Sequence, residues 1–306
     1  MGSLDGRVVV VTGGGRGLGR AHALLLAAEG AKVVVNDLGS DLDGFGADPG
    51  PAQSVVEEIK AAGGEAVPNT DSVTDWEGAR RMIRAAVETF GDLDVLVNNA
   101  GIGYGRQLSH LEDIDEASWD TMIAIHVKGH FNALRHAAEY WRNRSRAGGE
   151  VRASVVNTSS PAGFVQLSER QSTQLDYAVA KAGILAMTIG AAVELGPYGV
   201  RVNAIAPGAR TRMSERAMPE VVAAPQDPAA FDRFDPAQVS PVVAWLASDR
   251  CPVTGQVLKI FGSTIELYRG WVPIGMIDKD RRWTVEELDV ELNRLIEQGE
   301  RAGSAR

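Results

Sequence analysis

The sequence predicts an α/β fold in which an open, parallel, seven-stranded sheet carries helices on both faces. Three observations support this prediction. Short Val-rich runs alternate with longer amphipathic segments, the runs show little polar alternation, and no linker divides the pattern into two domains. Strands that are covered on both faces have this composition. The alternation of strands with helices is typical of a parallel sheet.

The predicted elements follow one another along residues 1–265, which we expect to form one domain. Seven strands are predicted from the apolar runs, at Arg7–Thr12, Ala31–Asn36, Glu65–Pro68, Leu93–Asn98, Ala153–Asn157, Val200–Ile205 and Gln256–Phe261. Six helices are predicted from the amphipathic segments, at about Gly17–Glu29, Pro51–Ala62, Asp75–Phe90, Ala117–Arg142, Gln174–Leu195 and Pro236–Ala247.

Three segments lie outside this alternation. Gly39–Gly50 is rich in Gly and Asp, and Pro219–Phe234 is rich in Pro, Ala and Asp, so neither is assigned to a strand or a helix. Residues 266–306 form a C-terminal extension. Its residues Trp271 and Trp283 and the helix-like stretch Val285–Ile296 indicate that it is ordered and packed on the same domain.

Composition and charge exclude several classes of function. The formal net charge of −9 argues against nucleic acid and against anionic membrane surfaces as main partners. The single cysteine, Cys251, leaves no internal disulfide to form. The chain lacks an N-terminal apolar signal segment and any run of about 18 apolar residues, so we expect a soluble cytoplasmic protein. No metal site is expected.

A glycine-rich turn joins the first strand to the first helix. It reads T-G-x-x-x-G-x-G from Thr12 to Gly19. Glycine permits positive φ and close backbone approach, and a helix N-terminus offers free N–H groups to a phosphate. The strand, turn and helix context therefore predicts a dinucleotide pyrophosphate site, although a tight structural turn is the alternative. The residues predicted to contact the cofactor here are Gly13, Arg16, Gly17, Leu18 and Gly19.

An acidic residue, Asp37, ends the second strand, 18 residues after Gly19. A carboxylate at this place accepts hydrogen bonds from the adenosine ribose and repels a 2′-phosphate, which favours NAD over NADP. Arg16 argues the other way, since its guanidinium could reach a 2′-phosphate. A simple acid at the start of a loop is the structural alternative for Asp37.

Polar residues also follow the third and fourth predicted strands. Ligands bind at the carboxyl ends of the strands in open α/β sheets. Each of these residues could be an ordinary turn or cap, but their joint placement predicts further cofactor contacts at Asp71, Ser72, Asn98, Ala100 and Gly101.

Tyr177 and Lys181 are four residues apart on a predicted helix and therefore share one face. A phenol has a pKa of about 10, and a nearby cation favours its ionised form. The pair could thus transfer protons near neutral pH. The alternative is a chance pair on a solvated helix.

Together these motifs resemble those of the short-chain dehydrogenase/reductase family. The matching elements are Thr12–Gly19, the Asn-Asn-Ala-Gly stretch 98–101, Ser159–Gly163, Tyr177 with Lys181, and Ala206–Gly208, and they span about residues 5–265. The resemblance implies a single doubly wound, Rossmann-type domain. It also implies a nicotinamide cofactor, a small-molecule substrate, and hydride transfer between a secondary alcohol and a ketone.

A closer similarity concerns one branch of that family. Val35–Gly39, the Gly-rich stretch after it, and Ile125–Gly129 look like the branch of (3R)-hydroxyacyl-CoA dehydrogenases and type 4 17β-hydroxysteroid dehydrogenases. This similarity implies hydroxyacyl-CoA or hydroxysteroid substrates and a place in lipid metabolism.

The resemblance also assigns roles to individual residues. Ser160 would hydrogen-bond the substrate oxygen, and Tyr177 would be the general acid/base. Lys181 would bind the nicotinamide ribose and lower the pKa of the tyrosine. Pro207, Gly208 and Thr211 would contact the nicotinamide, with Thr211 at its carboxamide. Val257–Phe261 and the preceding helix are similar to the family's usual subunit contact, which implies a homotetramer or a dimer.

The chain departs from the family pattern in two places. His126 stands where the family commonly has an asparagine that holds a proton-relay water, so its role is left open between structural and functional. The 17 positions from Ser160 to Tyr177 are more than is usual, and the extra residues within Ser168–Thr173 would widen or cover the mouth of the site. An NADP-dependent ketone reductase and a non-catalytic dinucleotide-binding sensor are the alternative functions.

Overall fold

The computed structural model describes residues 2–103, 110–164, 174–227, 229–269, 273 and 275–303. The chain divides into a main unit, Met1–Tyr268, and a second unit, Arg269–Arg306. The main unit is built on one sheet with the strand order β3-β2-β1-β4-β5-β6-β7-β8. The strands are β1 (Val8–Thr12), β2 (Lys32–Asn36), β3 (Glu65–Asn69), β4 (Val95–Asn98), β5 (Ala153–Thr158), β6 (Val200–Gly208), β7 (Val257–Phe261) and β8 (Thr264–Tyr268).

Helices cover both faces of this sheet. In the main unit they are α1 (Gly17–Ala28), α2 (Gly50–Ala61), α3 (Trp76–Phe90), α4 (Glu116–Ile123), α5 (Gly129–Arg146), α6 (Leu175–Leu195), α7 (Arg212–Ala217), α8 (Pro219–Val222) and α9 (Ser240–Ala247). The second unit contains α10 (Val285–Gly303). The α/β class and the helices on both faces are confirmed.

The Val-rich strands form two cores because successive side chains of a strand point to opposite faces. Val9 and Val11 of β1 pack on one face with Leu26 of α1 and Val243 of α9. Val8 and Val10 pack on the other face with side chains of α3 and α5, among them Met82 and Trp141. Both faces of β1 are therefore buried, which explains why its sequence does not alternate between apolar and polar residues.

The strand order reverses between β1 and β4. The chain runs from β1 outward to β2 and β3, then returns to β4 on the other side of β1. Connections that leave β1 and β4 in opposite directions open a crevice at the carboxyl ends of these strands. This switch point brings the glycine-rich turn after β1 beside the Asn-Asn-Ala-Gly stretch after β4.

The sheet has eight strands, so the predicted number of seven is wrong. The additional strand β8 pairs with β7 in antiparallel register, with Phe261 opposite Thr264. Gly262 at the connecting turn has φ +56°, a conformation that glycine adopts without strain. β8 is an edge strand with exposed Ile265 and Leu267, and it lacks the Val-rich signature of the buried strands. The expected domain limit at residue 265 falls inside β8.

The predicted helix Ala117–Arg142 is interrupted. The structure has α4, a π-helical turn at Ala124–Lys128, and then α5. α4 begins after Asp115, whose carboxylate accepts a hydrogen bond of 2.7 Å from Ser118 N. A π-turn shifts the register of the side chains that follow it and often occurs at functional sites. Here it carries His126 into the interior.

Two short helices were not predicted. α7 is capped by Thr211, which receives a hydrogen bond of 3.3 Å from Ser214 N, while Thr211 N donates to Ser214 Oγ at 2.8 Å. α8 occupies the beginning of the segment Pro219–Phe234. The segment Ser168–Thr173 and Trp271, on which other expectations rested, lie outside the described residues.

One stretch, Leu175–Tyr198, is long and apolar enough to cross a membrane by length and composition alone, among the helices that the structure describes. It comprises α6 and the turn after it. Core helices have the same composition, and Ile184 and Thr188 of α6 are fully buried in the main unit.

The second unit contains the helix expected in the extension. Thr284 and Glu287 form the reciprocal hydrogen bonds of a capping box, with Thr284 N to Glu287 Oε2 at 2.9 Å and Glu287 N to Thr284 Oγ1 at 3.2 Å. α10 therefore begins at Val285, where the predicted helix-like stretch also begins.

Candidate active site

A cavity of about 960 Å³ opens at the carboxyl ends of the strands. It extends from the end of β2 across the switch point to the beginning of α6. Most of the predicted site residues line it, namely Gly13, Arg16, Gly17, Leu18, Asp37, Asp71, Ser72, Ala100, Gly101, Ser160, Tyr177, Lys181, Pro207, Gly208 and Thr211. Two predicted residues, Asn98 and Gly19, are not among the lining residues.

The glycine-rich turn is shaped by close backbone contacts. Gly13 and Gly17 have φ values of +62° and +51°, and a Cβ on Gly13 would lie 2.9 Å from Ala100 Cα. The first turn of α1 contains no acidic residue, and the side chain of its N-cap residue Arg16 makes no capping hydrogen bond. The first N–H groups of a 12-residue helix are thus left for an anion, which fits the pyrophosphate of a dinucleotide.

Thr12 and Asn99 lock the ends of β1 and β4 together. Thr12 Oγ1 accepts hydrogen bonds from Asn99 N at 2.9 Å and Ala100 N at 3.0 Å. In return, Asn99 Nδ2 donates to Thr12 O at 3.1 Å and Gly13 O at 3.2 Å. Neither residue was among the predicted site residues. The Asn-Asn pair was the available signal, but the sequence did not tell which asparagine faces the cavity.

Asn98 and Gly19 lie behind the lining of the cavity, and their contacts with a cofactor stay predictions. Asn98 is 1% exposed, and its Nδ2 donates to Asn157 Oδ1 at 3.0 Å within the sheet. Gly19 is buried beneath the glycine-rich turn, and a Cβ there would overlap the carbonyl oxygen of Gly13. Both residues therefore act on the shape of the cavity from behind its wall.

The carboxylate of Asp37 is held at the end of β2. Its Oδ2 accepts a hydrogen bond of 2.8 Å from Gly15 N, and its Oδ1 accepts one of 2.7 Å from Gly39 N. A carboxylate has about four lone-pair sites, so both oxygens keep acceptor capacity toward the cavity. This arrangement fits the two ribose hydroxyls of an adenosine.

Two arginines line the cavity near Asp37. Arg16 Nη1 donates to Ser40 O at 3.0 Å. Burial and then the nearby charge of Arg16 lower the pKa of Arg212, while Asp37 and Asp41 raise it. Arg212 is a lining residue that the sequence did not single out, because only the fold brings the end of β6 next to the end of β2.

Asp71 and Ser72 lie at the end of β3. The carboxylate of Asp71 accepts hydrogen bonds from Arg81 Nη2 at 2.6 Å and from Asn69 Nδ2 at 2.9 Å. Ser72 Oγ and Thr74 Oγ1 are 2.9 Å apart. These contacts fix the loop after β3 as one wall of the cavity.

Tyr177 and Lys181 project from the first two turns of α6. Lys181 Nζ lies 5.4 Å from the centroid of the Tyr177 ring and donates to Thr158 O at 3.0 Å. Lys181 is 3% exposed. Ser159 Oγ donates to Lys181 O at 2.9 Å, which ties the end of β5 to the same helix.

Ser160 opens the short 3₁₀ turn Pro161–Gly163. Its Oγ accepts a hydrogen bond of 3.2 Å from Ala162 N. A Cβ on Gly163 would lie 2.8 Å from Ala182 N, so the turn packs directly against the backbone of α6. The serine is therefore held in the cavity that also contains Tyr177.

Burial sets the direction of both pKa shifts in this pair. It raises the pKa of Tyr177, and a hydrogen bond with Ser160 offsets part of that rise. Burial also lowers the pKa of Lys181 to about 7. The predicted lowering of the tyrosine pKa by Lys181 is not what the chain alone shows. The ammonium of Lys181 donates to Thr158 O, and burial is the largest cause of the shift in the Tyr177 pKa.

His126 is brought to the same place by the π-turn. Its Nε2 lies 3.1 Å from Ile102 N and 2.9 Å from Ile102 O. Its ring centroid is 5.5 Å from that of Tyr177, with the ring planes at 87°. Burial, followed by the charge of Lys181, holds the pKa of His126 well below its ordinary value, so the imidazole is neutral.

The buried lysine gives a prediction for stability against pH. The pKa of Lys181 is about 7 in the folded chain and 10.5 ordinarily. Between these values the unfolded chain binds more protons, so the contribution of Lys181 to the free energy of unfolding rises with pH. Lys181→Met removes this contribution. We expect the stability of the wild type relative to this variant to increase by about 1 kcal/mol per pH unit from pH 7 to 10.

Urea denaturation at several pH values measures this difference. Lys60→Met, at an exposed lysine of α2, is the control for loss of a lysine elsewhere. Stability curves of the wild type and Lys181→Met that run parallel over this range would show that Lys181 is not desolvated.

Comparison with known proteins agrees with this geometry. The family model for short chain dehydrogenases matches residues 7–221. The hydroxyacyl-CoA dehydrogenase ChsB1 of Mycobacterium tuberculosis is 43% identical over 274 residues, which cover 86% of this chain and 80% of that protein. The peroxisomal multifunctional enzyme type 2 of Mus musculus is 36% identical over 277 residues, or 90% of this chain but 34% of the mouse protein.

A solved structure is similar over nearly the whole length. The crystal structure of a short chain dehydrogenase from Mycobacterium avium superposes with a TM-score of 0.83 at 49% identity and covers 97% of each chain. The resemblance to the branch that contains the hydroxyacyl-CoA dehydrogenases is confirmed. The chain belongs to the short-chain dehydrogenase family, whose members are oxidoreductases that act on CH–OH groups with a nicotinamide dinucleotide.

Proposed function

We propose that the chain is an NAD-dependent dehydrogenase that interconverts the secondary alcohol of a hydroxyacyl-CoA thioester with the corresponding ketone. The observation that carries the proposal is the meeting of Tyr177 and Lys181 with Ser160 in one cavity. The names of the relatives support the hydroxyacyl-CoA class, and a hydroxysteroid is the second substrate to be tested.

Each residue of the triad has a part in the reaction. Ser160 Oγ hydrogen-bonds the substrate oxygen and orients it. The Tyr177 phenolate takes the hydroxyl proton in oxidation, and the phenol returns it to the carbonyl oxygen in reduction. Lys181 adds positive charge beside Tyr177 and so favours the phenolate. The dinucleotide, when bound, supplies the nicotinamide carbon that accepts or donates the hydride.

The wall of the cavity near the triad suits an acyl chain. It includes the apolar side chains of Ile102, Ile125, Met213, Met218, Val222 and Phe234. Met213 lies directly over Gly103, where a Cβ would overlap its side chain. Methionine adapts its shape to irregular apolar ligands, so α7 and α8 provide a wall that acyl groups of different size can contact.

A Tyr177→Phe variant tests the proposed acid/base. Removal of the hydroxyl leaves the ring in place but takes away the proton donor and acceptor, so we expect turnover to fall at least about 100-fold. The dissociation constant for NAD, measured by protein fluorescence, should stay within about threefold. Tyr198→Phe, just after the same helix, is the matched control and should keep full turnover.

The assay uses hydroxyacyl-CoA thioesters, hydroxysteroids and small cyclic alcohols with NAD and with NADP. Turnover of Tyr177→Phe at the wild-type rate on any of these substrates would refute the assignment. If the wild type turns over only hydroxysteroids or cyclic alcohols, the proposed substrate class is wrong, but the roles proposed for Ser160, Tyr177 and Lys181 are unaffected.

The choice of NAD rests on Asp37, whose carboxylate would meet the ribose hydroxyls. In Asp37→Ala we expect NAD affinity to fall about tenfold or more, because charge-assisted hydrogen bonds are lost. We expect NADP affinity to rise as the repelling charge disappears. Asp41→Ala, at a neighbouring cavity carboxylate, is the control, and thermal denaturation of both variants measures any damage to the loop.

NADP-dependent reduction of a ketone is the second candidate, because Arg16 and Arg212 both line the cavity near Asp37. The raised pKa of Tyr177 also suits the donation of a proton to a carbonyl. If the wild type binds NADP more tightly than NAD, and Arg16→Ala reverses that order, this second function replaces the first.

We also propose that the chain forms a homodimer or homotetramer. α9 exposes Trp245, and β8 exposes Ile265 and Leu267, beside the β7 segment that resembles the family's subunit contact. Such an apolar surface favours association. We propose that the protein is cytoplasmic. Some relatives are named as peroxisomal enzymes, so a peroxisomal location is the alternative, and cell fractionation distinguishes the two.

Deletion of the residues after Tyr268 separates the roles of the two units. We expect the shortened chain to keep the number of subunits of the full chain, as measured by light scattering, since the proposed contact lies in the main unit. A monomeric shortened chain would assign the subunit contact to the extension.

A further inference from the structure

His126 lies between the two sides of the active site. It belongs to the π-turn between α4 and α5, and its side chain is 0% exposed. On one side its Nε2 contacts the backbone of Ile102, at 3.1 Å from the nitrogen and 2.9 Å from the oxygen. On the other side its ring meets the Tyr177 ring edge to face.

The neutral imidazole can make either hydrogen bond with Ile102. With the proton on Nδ1, Nε2 accepts from Ile102 N–H. With the proton on Nε2, the ring donates to the carbonyl oxygen of Ile102. Both forms tie the π-turn to the loop after β4. Among the described residues, no other hydrogen-bond partner of Ile102 N is found.

The ring also fills the space between the loop and Tyr177. A Cβ on Gly101 would lie 2.6 Å from His126 Cε1, so the loop backbone rests directly on the imidazole. The opposite contact is the Tyr177 ring, with centroids 5.5 Å apart and planes at 87°. The imidazole therefore lies between Tyr177 and the Gly101–Ile102 backbone, which is a wall of the cavity.

We propose that His126 is a positioning residue that fixes Tyr177 against the Gly101–Ile102 loop through the hydrogen bond of Nε2 with Ile102. It holds the acid/base group in place and does not itself transfer a proton in the reaction. This inference rests on the proposed function, in which Tyr177 is the acid/base. Misplacement of a reacting group by about 1 Å can lower a rate about 100-fold, so the contact affects turnover more than binding.

Two substitutions separate the hydrogen bond from the imidazole. In His126→Gln the side-chain amide reaches the position of Nε2 and keeps a donor and an acceptor for Ile102. In His126→Phe the ring remains but the hydrogen bond is lost. We expect kcat to fall about tenfold in His126→Phe and to stay within about threefold in His126→Gln. KM for both substrates should change less than about threefold in either variant.

Amide hydrogen exchange at Ile102 gives a readout that does not depend on activity. Protection of this amide should be lost in His126→Phe and kept in His126→Gln. If His126→Phe does not fold, His126→Leu replaces it, because leucine is smaller than phenylalanine and likewise makes no hydrogen bond to Ile102.

The outcomes are distinguishable. Wild-type kcat and wild-type Ile102 protection in His126→Phe would overturn the proposal. A loss of kcat in His126→Gln equal to that in His126→Phe, with protection kept, would overturn it in favour of proton transfer by the imidazole. A wild type without turnover on any substrate would refute the proposed function, while the exchange data would still test the contact with Ile102.

Discussion

The position of the active-site helix depends on a chain of buried hydrogen bonds between side chains. Asn98 Nδ2 donates to Asn157 Oδ1 at 3.0 Å, which joins β4 to β5. Asn157 Nδ2 then donates to Thr188 Oγ1 at 2.9 Å, and Thr188 Oγ1 donates to Ile184 O at 2.8 Å. Buried polar groups are costly to leave unpaired. These hydrogen bonds therefore specify one register of α6 on the sheet and hence one place for Tyr177 and Lys181.

The electrostatics of the site follow from that placement. Lys181 is buried with a backbone carbonyl as its hydrogen-bond partner, and two nearby histidines, His126 and His130, are kept neutral by burial. Burial of the ammonium disfavours its charged form and lowers the pKa of Lys181 to about 7. The chain alone therefore holds a protonated phenol beside a lysine that titrates near pH 7. Positive charge from a bound oxidised nicotinamide ring would add to that of the lysine in favouring the phenolate.

The parts of the fold that rest on local composition could be predicted from the sequence. Short apolar runs predicted seven of the strands, and polar residues at their carboxyl ends predicted part of the cavity lining. The parts that depend on neighbours in space could not be predicted. These include the choice between Asn98 and Asn99, the approach of Arg212 to Asp37, and the π-turn, whose sequence reads as an ordinary helix. The direction of the shift in the Tyr177 pKa could not be predicted either, because it depends on the burial of the phenol.

Asp37 combines the choice of cofactor with the shape of the glycine-rich turn. Its carboxylate accepts hydrogen bonds from Gly15 N and from Gly39 N, so it joins the turn after β1 to the loop after β2. An apolar side chain there would remove the repulsion of a 2′-phosphate but would also leave these two backbone amides without their acceptor. Selection for NADP at this site therefore requires a new acceptor for Gly15 N as well as loss of the charge. The two existing arginines already supply the positive charge that such a change would use.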